Sequence, residues 1–313
     1  MERIVKQSAV EAVVKSAYEK YKDYKVEGSA IDPRVNPAVA GKFAISVRLT
    51  DGSSFDYGDT STLFPLGSLL RLPVMISALM QMSPEEFVKE MNTGKCPVGC
   101  DRGVEIRPKG IHAKNLRMVS LVQPRDDADG KMRILSDLMI SLMGSSPVLE
   151  DKLYEKSMKK SVDEGVENLL ATNGYELYES APVAIEVANK LHSMLVTSRQ
   201  MARMGAVIAA DGRDEVCETS VFDGRISRTV VAMMASKGPK RIKKNWLAVT
   251  GVPAMSSFGG GMLAVVPGFG AYSVFAPELV DGIIPAKAAM AAKKIALDLN
   301  LNVFASTRIK AVR

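Results

Sequence analysis

Leu63-Phe64-Pro65-Leu66-Gly67-Ser68-Leu69-Leu70-Arg71-Leu72-Pro73-Val74-Met75-Ile76-Ser77-Ala78-Leu79-Met80 is the stretch on which the reading of this chain turns. Pro65 and Gly67 tighten a loop that delivers Ser68 to the start of a long apolar helix ending near Met82. A serine there has two uses. It caps the helix by accepting a hydrogen bond from a backbone N–H two or three residues on. Otherwise it is a nucleophile, placed where the helix N-terminus stabilises developing negative charge. The stretch alone leaves both uses open.

Upstream, Phe43, Ile45, Val47 and Leu49 alternate with other residues, and Asp51-Gly52 separates them from Phe55 and Tyr57. Asp-Gly between two alternating runs predicts a β-hairpin. Residues 22–41 hold Pro33 and Pro37 among short polar residues and read as a connection. Glu2 to Tyr21 carries apolar residues at helical spacing and reads as one amphipathic helix.

Downstream, Ser83-Pro84-Glu85-Glu86 starts a second helix, with serine as cap and proline at the first helical position. Val119 to Leu195 is mainly helical, with an amphipathic run from Val148 to Leu170 and a helix from Val183 to Met194. Thr197 to Ala210 is a threonine-capped helix, and Ile226 to Ser236 is another. Strands are expected at Trp246–Thr250, Met262–Val266 and Ala271–Phe275, followed by a last helix from Pro285 to Leu299. Strands before and after a helical middle predict an α/β (α+β) fold, an antiparallel sheet flanked by helices with an inserted helical lobe. The expected domains are a mixed α/β sheet domain of residues 1–80 and 197–313 and a mainly helical lobe of residues 81–196. A ligand cleft is expected between them.

Composition narrows the function classes. The 313 residues are 47% hydrophobic, enough for a real core. A net charge of +6 is a mild excess that does not by itself imply nucleic acid. Three cysteines, Cys96, Cys100 and Cys217, are too few for a disulfide framework. Cys96-Pro97-Val98-Gly99-Cys100 has the look of a metal half-site, but only Cys217, His112 and His192 remain to complete it. A turn with two thiols is the plainer reading, and neither metal nor cofactor is expected. The loop Arg125–Gly130 is acidic but lacks the spaced oxygens of a calcium site. With a charged first stretch and no apolar run of the ~18 residues a span needs, a cytoplasmic protein without membrane contact is expected.

Three stretches, Asp56–Leu79, Thr197–Ala206 and Gly251–Val266, together resemble the bacterial glutaminase family, whose enzymes share the fold of serine β-lactamases and penicillin-binding proteins. The resemblance runs over residues 8–305. Its most specific parts are Gly251-Val252-Pro253-Ala254-Met255-Ser256-Ser257-Phe258-Gly259-Gly260-Gly261 and Thr197-Ser198-Arg199-Gln200-Met201-Ala202-Arg203-Met204-Gly205-Ala206. It implies an ancestral hydrolysis of L-glutamine to glutamate and ammonia. A serine attacks the side-chain amide, a lysine three residues later is its base, and a tyrosine and a Lys-Ser-Gly lysine assist. The resemblance also implies a homo-oligomer.

Carried over residue by residue, the nucleophile is Ser68, with Gly67 before it, and the oxyanion donors are the backbone N–H groups of Ser68 and Phe258. The base lysine is replaced by Arg71. Arginine has a pKa above ~12 and takes no proton from serine at neutral pH. The Lys-Ser-Gly triad reads Met255-Ser256-Ser257, so its lysine is also replaced, while Ser256 and Ser257 remain as substrate contacts. The tyrosine falls near Lys240, and Lys240, or Lys109 and Lys114 near Asn115, are the candidates to supply an amine to Ser68 from another direction. The family's asparagine is kept as Asn115. Its Ser-Glu pair becomes Ser157-Met158, its Arg-Asn pair Glu164-Gly165, and its later tyrosine Ala188. Losing the base that activates a nucleophile costs about a thousandfold or more in rate.

Glutamine hydrolysis is therefore expected to be weak, altered or lost. The alternative is a catalytically dead protein that binds a small anion, or a scaffold. Lys237, Lys240, Arg241, Lys243 and Lys244 put five basic residues in eight. They read as a solvated loop or, with Arg71, as the recruiter of a carboxylate or phosphate. The expected ligand is a small amide or anion. Nucleic acid is not expected, since the chain lacks interleaved aromatics for base stacking.

Overall fold

The computed structural model describes residues 2–93, 113–239, 242–306 and 308–312. They divide into two compact units, one of Met1–Leu69, Met139–Ser146 and Leu195–Arg313, the other of Leu70–Leu138 and Pro147–Met194.

The first unit is built on a five-stranded antiparallel sheet. Its strands are β1 (Ala44–Leu49), β2 (Ser54–Gly58), β3 (Ala254–Ser256), β4 (Gly261–Val266) and β5 (Gly270–Phe275), in the order β3-β4-β5-β1-β2. The predicted hairpin is β1–β2, with Val47 opposite Phe55 and Gly52 turning the chain at φ +85°. The alternation expected from the sequence sorts the sheet into two apolar faces. Ile45, Val47, Leu49, Met262, Ala264, Val266, Tyr272 and Val274 share a core with Val10, Val14 and Ala17 of the helix Gln7–Tyr21 and with the alanines of Ala286–Asp298. On the opposite face lies the helix Ser198–Ala209, bonded through Ser198 Oγ to Ser46 Oγ at 2.9 Å. Gly205 sets that approach. A Cβ there would run into the Ala271 side chain and come within 2.9 Å of Leu263 Cδ1, so only glycine lets helix and sheet meet.

The second unit is helical. It holds Arg71–Leu79, Pro84–Thr93, Ala113–Leu121, Asp151–Asp163, Val166–Thr172 and Ala181–His192, and most of Ala128–Met143. Ser83 and Glu86 form the expected capping box, the Ser83 N–H donating to Glu86 Oε2 at 2.8 Å and the Glu86 N–H to Ser83 Oγ at 3.2 Å. Lys131 and Glu179 pair at 2.6 Å with no side-chain exposure on either partner.

Three expectations are corrected. Trp246–Thr250 is not a strand; it belongs to the helix Lys243–Thr250, which Gly251 ends at φ +64°. A left-handed glycine after a last turn is a helix stop, and it outweighs the β-propensity of Val249 and Thr250. The first helix starts at Gln7, because Glu2–Lys6 pairs in parallel with Arg308–Val312. The run from Val148 to Leu170 is broken at Gly165, φ +58°, into two helices after a short strand.

Candidate active site

In the first unit, Ser68 is positioned by an interlock between the segment Phe64–Gly67 and the turn joining β3 to β4. Phe64 stacks on Phe275 of β5, ring centroids 4.7 Å apart. The Ser257 hydroxyl donates to Pro65 O at 3.1 Å and accepts from the Gly259 N–H at 3.1 Å, while the Ser257 N–H bonds Gly261 O at 2.8 Å. A Cβ on Gly259 would lie 2.5 Å from Pro65 O, and one on Gly261 would strike the Phe64 ring. Gly67 has φ +51°, and a Cβ on it would strike Ser257 Oγ and sit 2.6 Å from Phe258 Cδ1. The glycine-rich turn is thus the mould for the loop before Ser68.

Ser68 does not cap the following helix. It lies in a 3-10 turn, Gly67–Leu70; the helix proper begins at Arg71, with Leu70 at its N-cap position and no side chain capping it. From Phe64 to Leu70 every residue is buried except Ser68, which is half-exposed. Within this segment the serine alone is reached by solvent.

The other residues of the turn are now placed. Ser257 is 1% exposed and its hydroxyl bridges two backbone groups, so the candidate substrate contact is a strut. Ser256 is buried and pairs with Met262 across β3–β4. Phe258 is capped by a residue that the sequence reading passed over. The Arg34 guanidinium lies 3.9 Å from the Phe258 ring centroid. It is held there by Asp32, with Nη2 at 2.7 Å from Oδ2 and Nε at 2.8 Å from Oδ1. A bidentate ion pair stacked on an aromatic face fixes the ring and the backbone that carries it. The short Asp-Pro-Arg spacing was the one available signal.

In the second unit, Arg71 Nε donates to Asn115 Oδ1 at 2.9 Å. Asn115 is 5% exposed and Arg71 is half-buried. Burial lowers the Arg71 pKa below its ordinary value, yet a guanidinium keeps its proton. Among the described residues no carboxylate pairs with Arg71. Met158 Sδ accepts from Asn189 Nδ2 at 3.2 Å. Ala188 is wholly buried.

Lys240, Lys109, Cys96, Cys100 and His112 lie outside the described residues, as does Arg241 of the basic loop. Among the described residues no three His, Cys, Asp or Glu side chains are grouped to hold a metal ion, and no helix is long and apolar enough to cross a membrane.

A sequence profile of the family described as Glutaminase matches residues 31–304. Over 321 aligned residues covering both chains in full, the sequence is 25% identical to a glutaminase of Parabacteroides distasonis and 26% identical to one of Bacteroides thetaiotaomicron. The structure resembles probable glutaminase ybaS with a TM-score of 0.84 at 22% identity, over 96% of this chain and 99% of that one. It resembles a probable glutaminase from Bacillus subtilis, solved in complex with 6-diazo-5-oxo-L-norleucine, with a TM-score of 0.77 at 20% identity over 97% and 99%. At those identities the structural likeness establishes the fold, the antiparallel sheet flanked by helices of the β-lactamase-like class.

Proposed function

The chain belongs to the glutaminase family, and from that premise we propose that it has largely given up glutamine hydrolysis and binds a small carboxylate-bearing ligand through Arg71. The observation that carries this is the half-buried Arg71 guanidinium, tied by one N–H to Asn115 and without a carboxylate partner among the described residues. A desolvated cation lacking a counter-charge is costly, and an anion from solution relieves that cost. Nε is spent on Asn115, which leaves the two terminal nitrogens of the fork for a bidentate carboxylate. The Bacillus subtilis relative was solved with an amino-acid analogue, so glutamate and its five-carbon relatives are the ligands to try first.

The same substitutions argue against turnover. Arg71 and Met255 stand where two lysines of the family stand, and Met158 where its glutamate grips the substrate ammonium. A second reading, a weak amidohydrolase acting through Ser68, is favoured by the half-exposure of Ser68 and the mould that presents it.

One experiment separates the two. Ammonia release is measured on a panel of amides, glutamine first, beside Ser68→Ala, while thermal stabilisation is followed with glutamate, glutarate and phosphate. The binding reading expects no release above Ser68→Ala, and stabilisation by a dicarboxylate that survives Ser68→Ala and vanishes in Arg71→Met. Ser68-dependent release of ammonia would overturn the loss of hydrolysis. No stabilisation by any carboxylate would overturn the ligand.

A further inference from the structure

A cavity of about 190 Å3 lies between the helices Lys243–Thr250 and Ala286–Asp298 of the first unit. Its body is apolar, made by Ile242, Trp246, Val249, Ala289 and Met290. The polar groups of its inner wall are already spent. Trp246 Nε1 donates to Val252 O at 2.7 Å. Thr250 Oγ1 donates to Trp246 O at 2.8 Å and accepts from the Val252 N–H at 3.2 Å. At the rim stand two exposed polar side chains, Asn245 and Lys293, and neither has a side-chain hydrogen bond or ion pair among the described residues. The neighbouring Lys294, by contrast, is paired with Asp298.

We infer that this cavity is a second ligand site, which takes a small amphipathic monocarboxylate with its hydrocarbon body against Trp246 and Met290 and its carboxylate at Lys293. Size sets the body. An apolar cavity of ~150 Å3 holds benzene, and drug-sized pockets begin near ~300 Å3, so the ligand is a chain or single ring of fragment size. Charge sets the head. The rim offers a free ammonium and an amide and no acid, and the chain as a whole carries +6. A neutral hydrocarbon would leave that ammonium unused, and a dicarboxylate would have to put its second charge against an apolar wall. The site rests on residues separate from Arg71 and Ser68. Along the chain the Trp246 helix runs through Gly251 into β3 and the turn that moulds the loop before Ser68.

Trp246 is the chain's only tryptophan, so its emission reads this cavity alone. Octanoate is titrated into the full-length protein below its micelle concentration while Trp246 fluorescence is followed, with octanamide and glutarate as comparison probes. The expected result is a saturable shift of the emission with octanoate, at least tenfold tighter than with octanamide, and none with glutarate. Lys293→Gln, an exposed position that leaves folding alone, should bring octanoate down to the level of octanamide. Ala289→Leu fills the cavity and should remove the response to both; Val249→Asp, at a 47% exposed wall position, serves the same purpose if Ala289→Leu does not fold. No saturable shift, equal affinity for octanoate and octanamide, or a response unchanged in Lys293→Gln and in the cavity variant would each overturn the assignment.

Discussion

Arg71, three residues after Ser68, donates through Nε to the Oδ1 of Asn115, 2.9 Å away. A guanidinium keeps its proton, so Arg71 holds a fixed charge, and the bond to Asn115 orients it. Arg71→Met should therefore abolish dicarboxylate binding rather than tune it. Removing one partner of a desolvated charge contact costs about 2–5 kcal/mol, a loss of at least thirtyfold in affinity. Calorimetric titration with glutarate, parent against variant, checks this. An affinity unchanged within threefold places the ligand elsewhere.

Gly67 is predicted to be irreplaceable for folding. Its φ of +51° disfavours any other residue, and a methyl group would press on Ser257 Oγ and come within 2.6 Å of Phe258 Cδ1. The left-handed backbone costs about 1–2 kcal/mol and overpacking about 1–3 kcal/mol. Gly67→Ala should thus lose roughly 2–5 kcal/mol in urea denaturation. A loss below half a kcal/mol would mean that the loop before Ser68 is not moulded by the glycine-rich turn.

Ser257→Ala tests the strut. The hydroxyl joins Pro65 O to the Gly259 N–H, 192 residues apart in one case and two in the other. Its removal strands two buried backbone groups, at about 1–3 kcal/mol. The variant should fold, unfold earlier in urea, and bind dicarboxylate as the parent does, because Arg71 and Asn115 are untouched. Lost binding with unchanged stability would return Ser257 to the role of ligand contact.

How far the residues announced this arrangement depends on distance along the chain. The alternation from Phe43 to Tyr57 and the Thr197–Gln200 capping box are local signals, and the structure follows them. The fold class was legible because the alternating run Phe43–Leu49 and the apolar runs Met262–Val266 and Ala271–Phe275 supply the sheet's three inner strands. The helix at Trp246 was missed because it is only eight residues long and ends in β-branched residues, although Gly251 marks its stop. Glu2–Lys6 reads as helix from the sequence because its partner strand lies some three hundred residues on. The site divides the same way. Ser68 and Arg71 are read from one heptad of sequence. The Asp32–Arg34–Phe258 stack joins residues more than two hundred positions apart, and the local Asp-Pro-Arg spacing points to its ion pair but not to its aromatic partner.

Acid should expose the Arg203–Asp214 pair. Burial pushes the Asp214 carboxyl up, but hydrogen bonds from Arg203 Nη2 at 2.5 Å and from the Val216 N–H at 3.0 Å outweigh it and hold its pKa below the ordinary 3.8. A carboxyl depressed in the folded state adds stability that is complete above its unfolded-state pKa and is lost as pH falls through the folded one. At neutral pH Asp214→Asn should cost about 3 kcal/mol, since Arg203 loses its counter-charge. On acidification the parent's extra stability should fade below about pH 4, so the two denaturation midpoints converge. A gap that stays constant down to about pH 2 would show that the pair contributes nothing through its charge.

Arg71→Lys returns an amine to the position three residues after Ser68, and glutamine turnover should still not follow. A positioned general base is worth about 10^2–10^4 in rate, but only where the rest of the constellation stands. On the proposed reading Met255 and Met158 stand where a second lysine and an ammonium-binding glutamate are needed, and Met158 accepts a hydrogen bond from Asn189. Groups that act as a unit are not restored one at a time. Ammonia release by Arg71→Lys should therefore stay within tenfold of Arg71→Lys/Ser68→Ala. Binding of glutarate should weaken about tenfold but persist, since lysine keeps the charge and loses the fork. A Ser68-dependent rise of a hundredfold or more would mean that Arg71 alone had silenced an otherwise working site.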